Sequence, residues 1–418
     1  MMRWQSGVAA AAGTATAAGL LAVISVVNHA PPPVSAWARQ WGQVTSIPRP
    51  ATFGKSLADQ RVSAMSCAAP GECGVGGNYK DSGGHLQAFV AAEHHGTWAD
   101  AQPVAGVATL NTGLNATIVA LSCAAPGDCS AVGTYFDSSH NLWPFVVSET
   151  HGRWSAGAEL SGIAALNSGG DAALLTISCT APDDCAAGGS YTHGFYDTSY
   201  PRVDALVATE TNGRWNPALE VPGIAALNFG EAAVTSVSCT SPGDCGAGGY
   251  YSQGNGAGGQ THAFTVMQTN GSWASAEKLH SAEVYASVLS VSCVPGGCAA
   301  GGYEANSAYL NKAFTASERG GSWGSAEAVP GISTLSPRKN SEVDWVSCAS
   351  VGDCGAGGSY NDETSDMHAF VISETGGTWG AAQTAPGPAP RYLARIVGIA
   401  GPGLVLCPPK DECVATGS

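Results

Sequence analysis

Charged residues are scarce in this 418-residue sequence, and positive charge is the scarcer sign: 17 Lys and Arg stand against 32 Asp and Glu, and charged residues make up 12% of the chain. No Lys or Arg cluster appears, which argues against the basic surface that nucleic-acid binding needs. A nucleophile elbow, an HExxH motif and a phosphate-binding loop are also lacking. Collagen is excluded because the 56 Gly follow no Gly-X-Y period.

Long helical patterns are missing as well. Beyond residue 30 no stretch keeps a helical apolar period over about twelve residues. A hydrophobic content of 44% is nevertheless enough for a packed core, so the chain is not disordered throughout. These features predict an all-β protein.

The N-terminal segment has the pattern of an export signal. Arg3 precedes an uncharged run over residues 7–27, followed by three prolines. Residues 1–30 are therefore predicted to be a signal peptide, and an uncleaved signal anchor is the alternative. In either case the protein is expected to be secreted or anchored at the cell surface, with no other membrane contact.

Cysteine provides the strongest pattern, because all 14 residues fall in closely spaced pairs. In an exported chain such pairs should be oxidised. Zinc is the competing interpretation, but zinc pairs are usually closer in sequence and need a second pair nearby. We predict seven disulfides: Cys67/Cys73, Cys123/Cys129, Cys179/Cys185, Cys239/Cys245, Cys293/Cys298, Cys348/Cys354 and Cys407/Cys413.

The Cys pairs mark seven repeats of about 57 residues, and a Trp after a Gly turn recurs in the same rhythm. Each repeat contains four strand candidates; in the fourth they are residues 234–239, 245–251, 263–268 and 273–279. Four-stranded units at this period are typical of propeller blades. We predict a seven-bladed β-propeller with four antiparallel strands per blade, and a linear β-solenoid is the alternative.

The two ends of the chain complement each other. Trp41 has no preceding Cys pair, and the last Cys pair has no following Trp. Residues 33–48 would thus supply the outer strands of the blade whose inner strands are about 395–417, which closes the ring and removes its open edges. Residues 31–418 are accordingly predicted to be a single domain.

Most recurrent polar residues are expected to be structural. An acid precedes the second Cys of six repeats, where an Asp in a Pro-Gly-Asp turn should cap its own backbone. The Trp residues are expected to pack between blades. A Glu recurs just before the Trp turn and is expected to serve that turn, at Glu93, Glu149, Glu210, Glu318 and Glu374.

Two segments, 148–154 (SETHGRW) and 373–379 (SETGGTW), resemble the Asp-box hairpins of sialidase-type propellers. The Asp of that motif is missing, and the Gly-to-Trp gap is one residue shorter. Residues 33–418 are also similar to Cys-paired propeller repeats of secreted proteins from GC-rich bacteria, most of which have no assigned activity. The resemblance implies architecture more than chemistry. The sialidase reaction would need three Arg that bind the substrate carboxylate. Arg202, Arg391 and Arg395 could meet on one face, but nothing in their sequence context requires that role.

Candidate ligand residues lie in the parts that do not repeat. In a four-stranded blade, the Cys-pair turn and the Trp turn share one face, so the variable loops share the other. Residues 191–204 and 251–262 are the two most distinctive variable loops. The candidates in the first loop are aromatic and polar residues, for which packing of the loop on itself is the alternative: Tyr191, His193, Phe195, Tyr196, Tyr200 and Arg202. Three asparagines of the connectors are also candidates, with turn capping as the alternative: Asn111, Asn167 and Asn228.

The sequence thus favours a non-enzymatic binding or scaffold protein that recognises a glycan, a cell-wall component or a protein. A propeller glycoside hydrolase or lyase is the alternative. No metal, cofactor or catalytic residue is predicted, His94 and His95 are expected to be exposed to solvent, and the protein is expected to be a monomer.

The disulfide prediction can be checked by intact mass. The mass of the exported protein before and after reduction, followed by thiol alkylation, should correspond to seven disulfides and no free thiol. Recovery of several free thiols from the non-reduced protein would contradict the pairing.

Overall fold

A computed structural model describes residues 47–48, 50, 53, 60–195, 201–254, 259–338, 340–385, 395–396, 404–407 and 414–416. Within these ranges the chain forms six five-stranded antiparallel sheets and one three-stranded sheet. The all-β prediction is confirmed, and the repeats form a propeller-like series of sheets. The predicted signal segment 1–30 and most of the predicted closing strands near 33–48 lie outside the described residues.

The six complete sheets follow one another along the chain. Sheet 1 contains β1 (Gln60–Ala69), β2 (Glu72–Lys80), β3 (Leu86–His94), β4 (Thr97–Trp98) and β5 (Gln102–Pro103). Sheet 2 contains β6 (Ala116–Ala125), β7 (Asp128–Phe136), β8 (Leu142–Thr150), β9 (Arg153–Trp154) and β10 (Ala158–Glu159). Sheet 3 contains β11 (Ala172–Ala181), β12 (Asp184–Phe195), β13 (Pro201–Thr211), β14 (Arg214–Trp215) and β15 (Leu219–Glu220).

Sheets 4 to 6 repeat the same plan. Sheet 4 contains β16 (Ala232–Ser241), β17 (Asp244–Gln253), β18 (Gln260–Thr269), β19 (Ser272–Trp273) and β20 (Glu277–Lys278). Sheet 5 contains β21 (Tyr285–Val294), β22 (Gly297–Ala305), β23 (Asn311–Arg319), β24 (Ser322–Trp323) and β25 (Glu327–Ala328). Sheet 6 contains β26 (Ser341–Ser350), β27 (Asp353–Asn361), β28 (Met367–Thr375), β29 (Thr378–Trp379) and β30 (Gln383–Thr384). The three-stranded sheet contains β31 (Arg395–Ile396), β32 (Leu404–Cys407) and β33 (Val414–Thr416).

Each complete sheet is a four-stranded meander with an interrupted last strand. In sheet 4, β19 pairs with the end of β18, while β20 pairs with its middle at Phe264 and Thr265. The predicted fourth strand, 273–279, is therefore two short pieces along one edge. A four-residue helix follows the last strand of four sheets, which the sequence patterns did not predict: α1 (Val107–Leu110), α2 (Ile163–Leu166), α3 (Ile224–Leu227) and α4 (Ile332–Leu335).

The hydrophobic core lies between the sheets. Five clusters of buried side chains each combine residues of two consecutive sheets, from sheets 1 and 2 to sheets 5 and 6. Trp98 packs against a further cluster in sheet 1 that includes Phe53. The other recurrent tryptophans are half-buried against the five clusters, as predicted: Trp154, Trp215, Trp273, Trp323 and Trp379.

In five of the six complete sheets, paired glycines in the second strand allow the sheets to approach each other closely; sheet 2 has Val132 at the first of the two positions. A Cβ on Gly248 would lie 2.7 Å from Val288 Cγ1 in the next sheet, so no larger side chain fits there. A Cβ on Gly249 would lie 1.9 Å from the carbonyl oxygen of Ala233, beside a bulge in β16. Part of the glycine excess thus lies where backbones and neighbouring sheets meet, and another part lies in turns at positive φ.

A chain of serine hydrogen bonds, which the sequence patterns did not predict, links the first strands of successive sheets. The serine before the first Cys of one sheet accepts a hydrogen bond from the backbone N–H of the equivalent Cys in the next sheet. The distances are 2.9–3.1 Å, and the pairs are Ser66–Cys123, Ser122–Cys179, Ser178–Cys239, Ser238–Cys293 and Ser292–Cys348.

Six of the seven predicted disulfides are present, one in each complete sheet, and each joins residues directly opposite each other on the first two strands. They are Cys67–Cys73, Cys123–Cys129, Cys179–Cys185, Cys239–Cys245, Cys293–Cys298 and Cys348–Cys354. Cys413 lies outside the described residues, so its pairing with Cys407 stays a prediction. Among the described cysteines none is free. Six disulfides indicate an oxidising compartment.

The two cysteines of each disulfide differ in their surroundings, which the sequence pattern did not predict. The second cysteine, on the second strand, is buried in every complete sheet, whereas the first is only partly buried. A buried sulfur packs as a small apolar group, so these six residues belong to the packed interior and present no surface to a ligand. They are Cys73, Cys129, Cys185, Cys245, Cys298 and Cys354.

The recurrent acids are structural, but they bind other partners than expected. Asp128 accepts a hydrogen bond from the backbone N–H of His151 at 3.0 Å, and Asp244 accepts one from Asn270 at 2.9 Å. Both donors lie in the Trp turn, at positive φ. The acid of the Cys-pair turn therefore ties down the adjacent Trp turn and does not cap its own backbone.

The recurrent glutamates take two roles. Glu318 accepts a hydrogen bond from the backbone N–H of Gly321 in its own Trp turn at 2.5 Å, as predicted, whereas others reach the preceding sheet. Glu210 accepts hydrogen bonds from Ser130 and Ser148 of sheet 2 at 3.3 and 3.2 Å. Glu149 is buried and faces sheet 1, where His94 Nε2 lies 3.8 Å from its carboxylate. Burial raises the pKa of Glu149 to about 7, and nearby Asp128 adds to the effect while His94 opposes it.

The serine link can be tested with Ser122→Ala. The substitution removes the acceptor for the Cys179 N–H at a buried position, which should lower the free energy of unfolding by about 1 kcal/mol. Chemical denaturation of the wild type, Ser122→Ala and the exposed control Ser138→Ala would measure the effect. Equal losses in both variants would contradict a role for the inter-sheet bond.

The titration of Glu149 predicts a pH-dependent stability. Between pH 4.5 and about 7, the folded protein retains a proton on Glu149 that the unfolded chain releases. This contribution is complete below that window and is lost as the pH rises through it. Relative to Glu149→Gln, the wild type should lose on the order of 1 kcal/mol per pH unit across the window.

Denaturation curves of the wild type and Glu149→Gln at several pH values would measure this difference. Glu93→Gln, at the same position in sheet 1, is the control and should keep the wild-type pH profile. Parallel profiles for the wild type and Glu149→Gln would show that Glu149 does not titrate in this way.

Candidate functional site

The described sheets have two chemically different ends. At one end the Cys-pair turn and the Trp turn are joined by a backbone hydrogen bond, such as Gly152 N to Gly127 O at 2.8 Å and Gly271 N to Gly243 O at 2.8 Å. We call this end the stapled face. The hairpins between the second and third strands, together with the short helices, lie at the opposite end, which we call the variable face.

The variable face has its own repeated pattern. A tyrosine stands near the end of the second strand in five sheets, at Tyr79, Tyr135, Tyr191, Tyr251 and Tyr360. Sheet 5 has Glu304 at this position, and Glu304 forms an ion pair with Lys312. Against this pattern, deviations in single sheets are easy to identify.

In sheet 3, three residues at positions that vary between the sheets come together. Directly opposite Tyr191 stands Asp204, where other sheets have Gln87, Trp143, His262 or His368. In the last strand stands Glu220, at a position taken in other sheets by Pro103, Glu159, Lys278, Ala328 or Thr384. The third residue, His193, lies at a register shift of β12 beside Gly194.

The side chains of these residues form one cluster. His193 Nδ1 lies 3.5 Å from Asp204 Oδ2 and 4.0 Å from Glu220 Oε2. Arg202 Nε approaches the same Asp204 oxygen at 3.0 Å. Within the described ranges, His193, Asp204 and Glu220 are the one group of three His, Cys, Asp or Glu whose ligand atoms lie within 4.8 Å of one another. We call these three residues and Arg202 the sheet 3 cluster.

Neighbouring groups hold both carboxylates in place. Asn228 Nδ2 donates to Asp204 Oδ1 at 2.9 Å, and the Tyr191 hydroxyl donates to Glu220 Oε2 at 2.5 Å. Burial, followed by the hydrogen bond to Glu220, raises the pKa of the Tyr191 hydroxyl, which therefore stays protonated as a donor. The two acids thus present fixed oxygens to their surroundings.

The cluster reaches the surface on one side. Asp204 is fully buried, whereas the side chains of His193, Glu220 and Arg202 are 53%, 28% and 26% exposed. A ligand approaching the variable face would thus meet an imidazole, a guanidinium and a carboxylate held over a buried carboxylate. This arrangement offers hydrogen-bond donors and acceptors within a few ångströms of each other.

The predicted loop residues are divided by the structure. Residues 191–204, expected to form a loop, are mostly strand, because β12 and β13 extend to Phe195 and from Pro201. The Tyr191 ring is buried, so only its hydroxyl reaches the cluster. Of the other candidates, Tyr196 and Tyr200 lie outside the described residues, while Phe195 ends β12.

Two of the three connector asparagines make internal hydrogen bonds. Asn111 donates to the carbonyl oxygen of Leu86 at 2.9 Å and accepts from the backbone N–H of Asn115 at 2.7 Å. Asn228 binds the equivalent carbonyl of Val203 at 2.8 Å and, in addition, Asp204. Asn167, which follows α2, is buried, but neither polar atom of its side chain has a hydrogen-bond partner among the described residues. Among these three asparagines, Asn228 contacts the sheet 3 cluster.

The predicted disulfide cysteines take no part in this site. All six described pairs join the first two strands beside the turn of the stapled face, whereas the sheet 3 cluster lies at the variable face. In sheet 3 itself, Cys185 is the second residue of β12, and His193 stands near the other end of the same strand. All six described disulfides are therefore structural: those of Cys73, Cys129, Cys185 and Cys245 in sheets 1 to 4 and those of sheets 5 and 6.

The two acidic members of the cluster, Asp204 and Glu220, were not selected from the sequence. A signal was present: aligned by strand position, Asp204 and Glu220 replace residues that are not acidic in most repeats. The histidines expected to be exposed lie on the stapled face, where His95 is 94% exposed and His94 is 37% exposed and contacts Glu72.

A second aromatic feature lies in sheet 5. The rings of Tyr285 and Tyr309 stack with centroids 5.0 Å apart, and Tyr309 is 67% exposed. Leu310 beside them is also exposed. The Tyr285 hydroxyl donates to the Tyr309 hydroxyl at 3.3 Å, so this pair offers aromatic rings with two linked hydroxyls and not a group of converging charges.

In the described ranges no helix is long and apolar enough to cross a membrane. No family model and no curated protein matches the sequence.

Solved structures that resemble the chain have low similarity to it. A fucose-specific lectin from Aleuria aurantia is 14% identical, with 80% of this chain and 97% of that chain covered and a TM-score of 0.37. The Hadza microbial sialidase Hz136 is 12% identical, with 77% of this chain and 70% of that chain covered and a TM-score of 0.42. A protein of unknown function from Dyadobacter fermentans is 12% identical, with 78% of this chain and 96% of that chain covered and a TM-score of 0.43. With TM-scores this low, these likenesses carry no argument about the ligand or activity of this chain.

Proposed function

We propose that this chain is an exported, non-enzymatic carbohydrate-binding propeller that holds its ligand at the sheet 3 cluster. The observation that carries the proposal is the local break in the repeat. At positions where the other described sheets vary without forming such a group, sheet 3 has an Asp, a Glu and a His converging with an Arg. A repeat that needs only packing has no use for this convergence.

The chemistry of the cluster fits a neutral, hydroxylated ligand. A sugar hydroxyl both donates and accepts hydrogen bonds, so it can lie between Arg202 or His193 as donor and Glu220 as acceptor. Hydrogen bonds to charged groups are stronger than those between neutral groups. Phe195, Tyr196 and Tyr200 lie between His193 and Arg202 in the sequence, and we propose them as aromatic contacts for the same ligand.

The architecture and location form part of the proposal. The three short strands β31–β33, with the pair Cys407/Cys413, would be the inner part of a seventh blade, closed by residues 33–48. Residues 1–30 would export the chain as a signal peptide or anchor it, and residues 31–418 would form one domain. The oxidising compartment indicated by six disulfides supports export.

A glycoside hydrolase is the second candidate, because two carboxylates, an imidazole and a guanidinium meet at one place. Against it, Asp204 is fully buried and bound to Arg202 and Asn228, so it is poorly placed to exchange a proton with a substrate. Of the arginines considered for a sialidase-type carboxylate grip, Arg202 is committed to Asp204, and Arg391 lies outside the described residues.

A glycan array probed with the labelled wild type would test the binding function. Glu220→Gln should lower affinity for the selected glycan by about 10- to 100-fold, as expected for the loss of a charged hydrogen-bond partner. Glu159→Gln is the matched control, since Glu159 occupies the same position in sheet 2 and also bonds a tyrosine, Tyr135. That control should bind like the wild type.

The array needs a turnover assay beside it. A panel of chromogenic glycosides should give no product with the wild type, and turnover abolished by Glu220→Gln would establish the hydrolase instead. Absence of binding to every glycan class, or equal losses in Glu220→Gln and Glu159→Gln, would contradict the proposed site.

A further inference from the structure

We infer that His193, Asp204 and Glu220 bind one divalent metal ion, for which Zn²⁺ fits best. The sequence alone predicts no metal, because the three ligands come from three different strands, β12, β13 and β15. Only the register of sheet 3 brings them together. The inference shares its site with the proposed glycan binding and rests on that function for the role of the ion.

The spacing of the ligand atoms suits a small ion. Zinc bonds to imidazole nitrogen and carboxylate oxygen are about 2.0–2.2 Å long, so neighbouring ligands of a tetrahedral site lie about 3.3–3.5 Å apart. His193 Nδ1 is 3.5 Å from Asp204 Oδ2 and 4.0 Å from Glu220 Oε2. A small rotation of the partly exposed His193 side chain would adjust the geometry around the carboxylates of Asp204 and Glu220.

The charges and outer contacts also fit. Two carboxylates and one guanidinium give the cluster a net negative charge when His193 is neutral, which favours a cation despite the nearby Arg202. Asn228 and Arg202 orient Asp204, and Tyr191 orients Glu220. Such outer hydrogen bonds to ligating carboxylates are typical of protein metal sites.

The donor set selects among metals. A nitrogen donor with two carboxylates suits zinc and similar transition metals, whereas Ca²⁺ takes about six to eight oxygen ligands and Mg²⁺ prefers oxygen and water. Three protein ligands leave a fourth position open. Because His193 and Glu220 are the exposed members, that position faces solvent, where a ligand hydroxyl can bind the ion directly.

The other described sheets lack one or more of the ligands. Sheet 6 comes nearest, since His368 Nε2 lies 2.9 Å from Asp362 Oδ2, but Thr384 stands where sheet 3 has Glu220. Sheet 2 keeps Glu159 but has Trp143 in the position of Asp204. These sheets therefore provide internal controls.

Zinc titration of the full-length protein, stripped with a chelator, is the direct test. Isothermal calorimetry and metal analysis after gel filtration should show one Zn²⁺ per chain. His193→Ala and Glu220→Gln should each weaken the affinity by at least about 100-fold, since even the loss of an outer partner costs about 10- to 100-fold. His368→Ala and Glu159→Gln should retain the wild-type affinity.

Cobalt supplies a readout on the wild type that does not depend on how the variants fold. Co²⁺ bound in place of Zn²⁺ should give the visible absorption bands of a four-coordinate site, and Zn²⁺ should displace them. Absence of stoichiometric Zn²⁺ binding to the wild type, or His193→Ala and Glu220→Gln binding as tightly as the controls, would overturn the inference.

The glycan measurement separates this inference from the proposed function. If the wild type binds no Zn²⁺ and the stripped protein binds glycan as tightly as protein incubated with Zn²⁺, the metal site is refuted and the glycan site stands. Stoichiometric Zn²⁺ binding without recognition of any glycan would support the metal site and refute the proposed function.

Discussion

The close approach of each sheet to the next is the constraint on which the rest of the described structure depends. The second strand of each sheet has small side chains. The sheets therefore pack without gaps only when the first strand of the following sheet lies close to the backbone of that second strand. The glycine pair achieves this: Gly248 admits Val288 of the next sheet, while Gly249 accommodates the bulge in its own sheet. A larger residue at Gly248 would press on Val288 of the next sheet, whereas one at Gly249 would collide with the Ala233 carbonyl of its own sheet. In sheet 2 the position of Gly248 is taken by Val132, which packs in the core with sheet 3.

When the sheets are this close, the polar groups between them need hydrogen-bond partners, because a buried polar group without a partner costs free energy of folding. The serine beside each first Cys meets this need, since its hydroxyl accepts from the backbone of the next sheet. The disulfide of each sheet and the acid that ties the Trp turn fix the stapled face further. These ties all lie away from the variable face of the described sheets, so residues there can differ from sheet to sheet.

The sequence predicted the features that repeat at fixed spacing. Cys pairing, the four strands of each unit and the packing role of the Trp residues follow from recurrence and turn chemistry alone. The partners of recurrent residues were harder: Asp128 and Glu210 were each assigned to a turn of their own unit, whereas they contact another turn and another sheet. Periodicity identifies which residues are equivalent, but it does not say which way a side chain crosses an interface.

The candidate site was predicted even less completely, for a related reason. Composition drew attention to the aromatic hairpin, including His193 and Arg202, but Tyr191 lies in the core and Asp204 and Glu220 passed unnoticed. Asp204 meets Tyr191 only through the pairing of β12 with β13, and Glu220 joins them only through the interrupted last strand. Three residues separated along the chain become neighbours through cross-strand register, which single-sequence patterns do not specify.

The energetics of the cluster favour a functional origin. Removing a carboxylate such as Asp204 from water costs free energy that an ion pair with Arg202 offsets only in part, and apolar residues of similar volume commonly serve stability as well or better. The neighbouring sheets show that the fold does not need these charges, because Trp143 stands opposite the equivalent tyrosine in sheet 2. In sheet 3 Leu206 also replaces the phenylalanine found at this position in the other five complete sheets. A local set of changes that adds buried charge and reduces aromatic packing is better explained by recognition of a ligand than by stability.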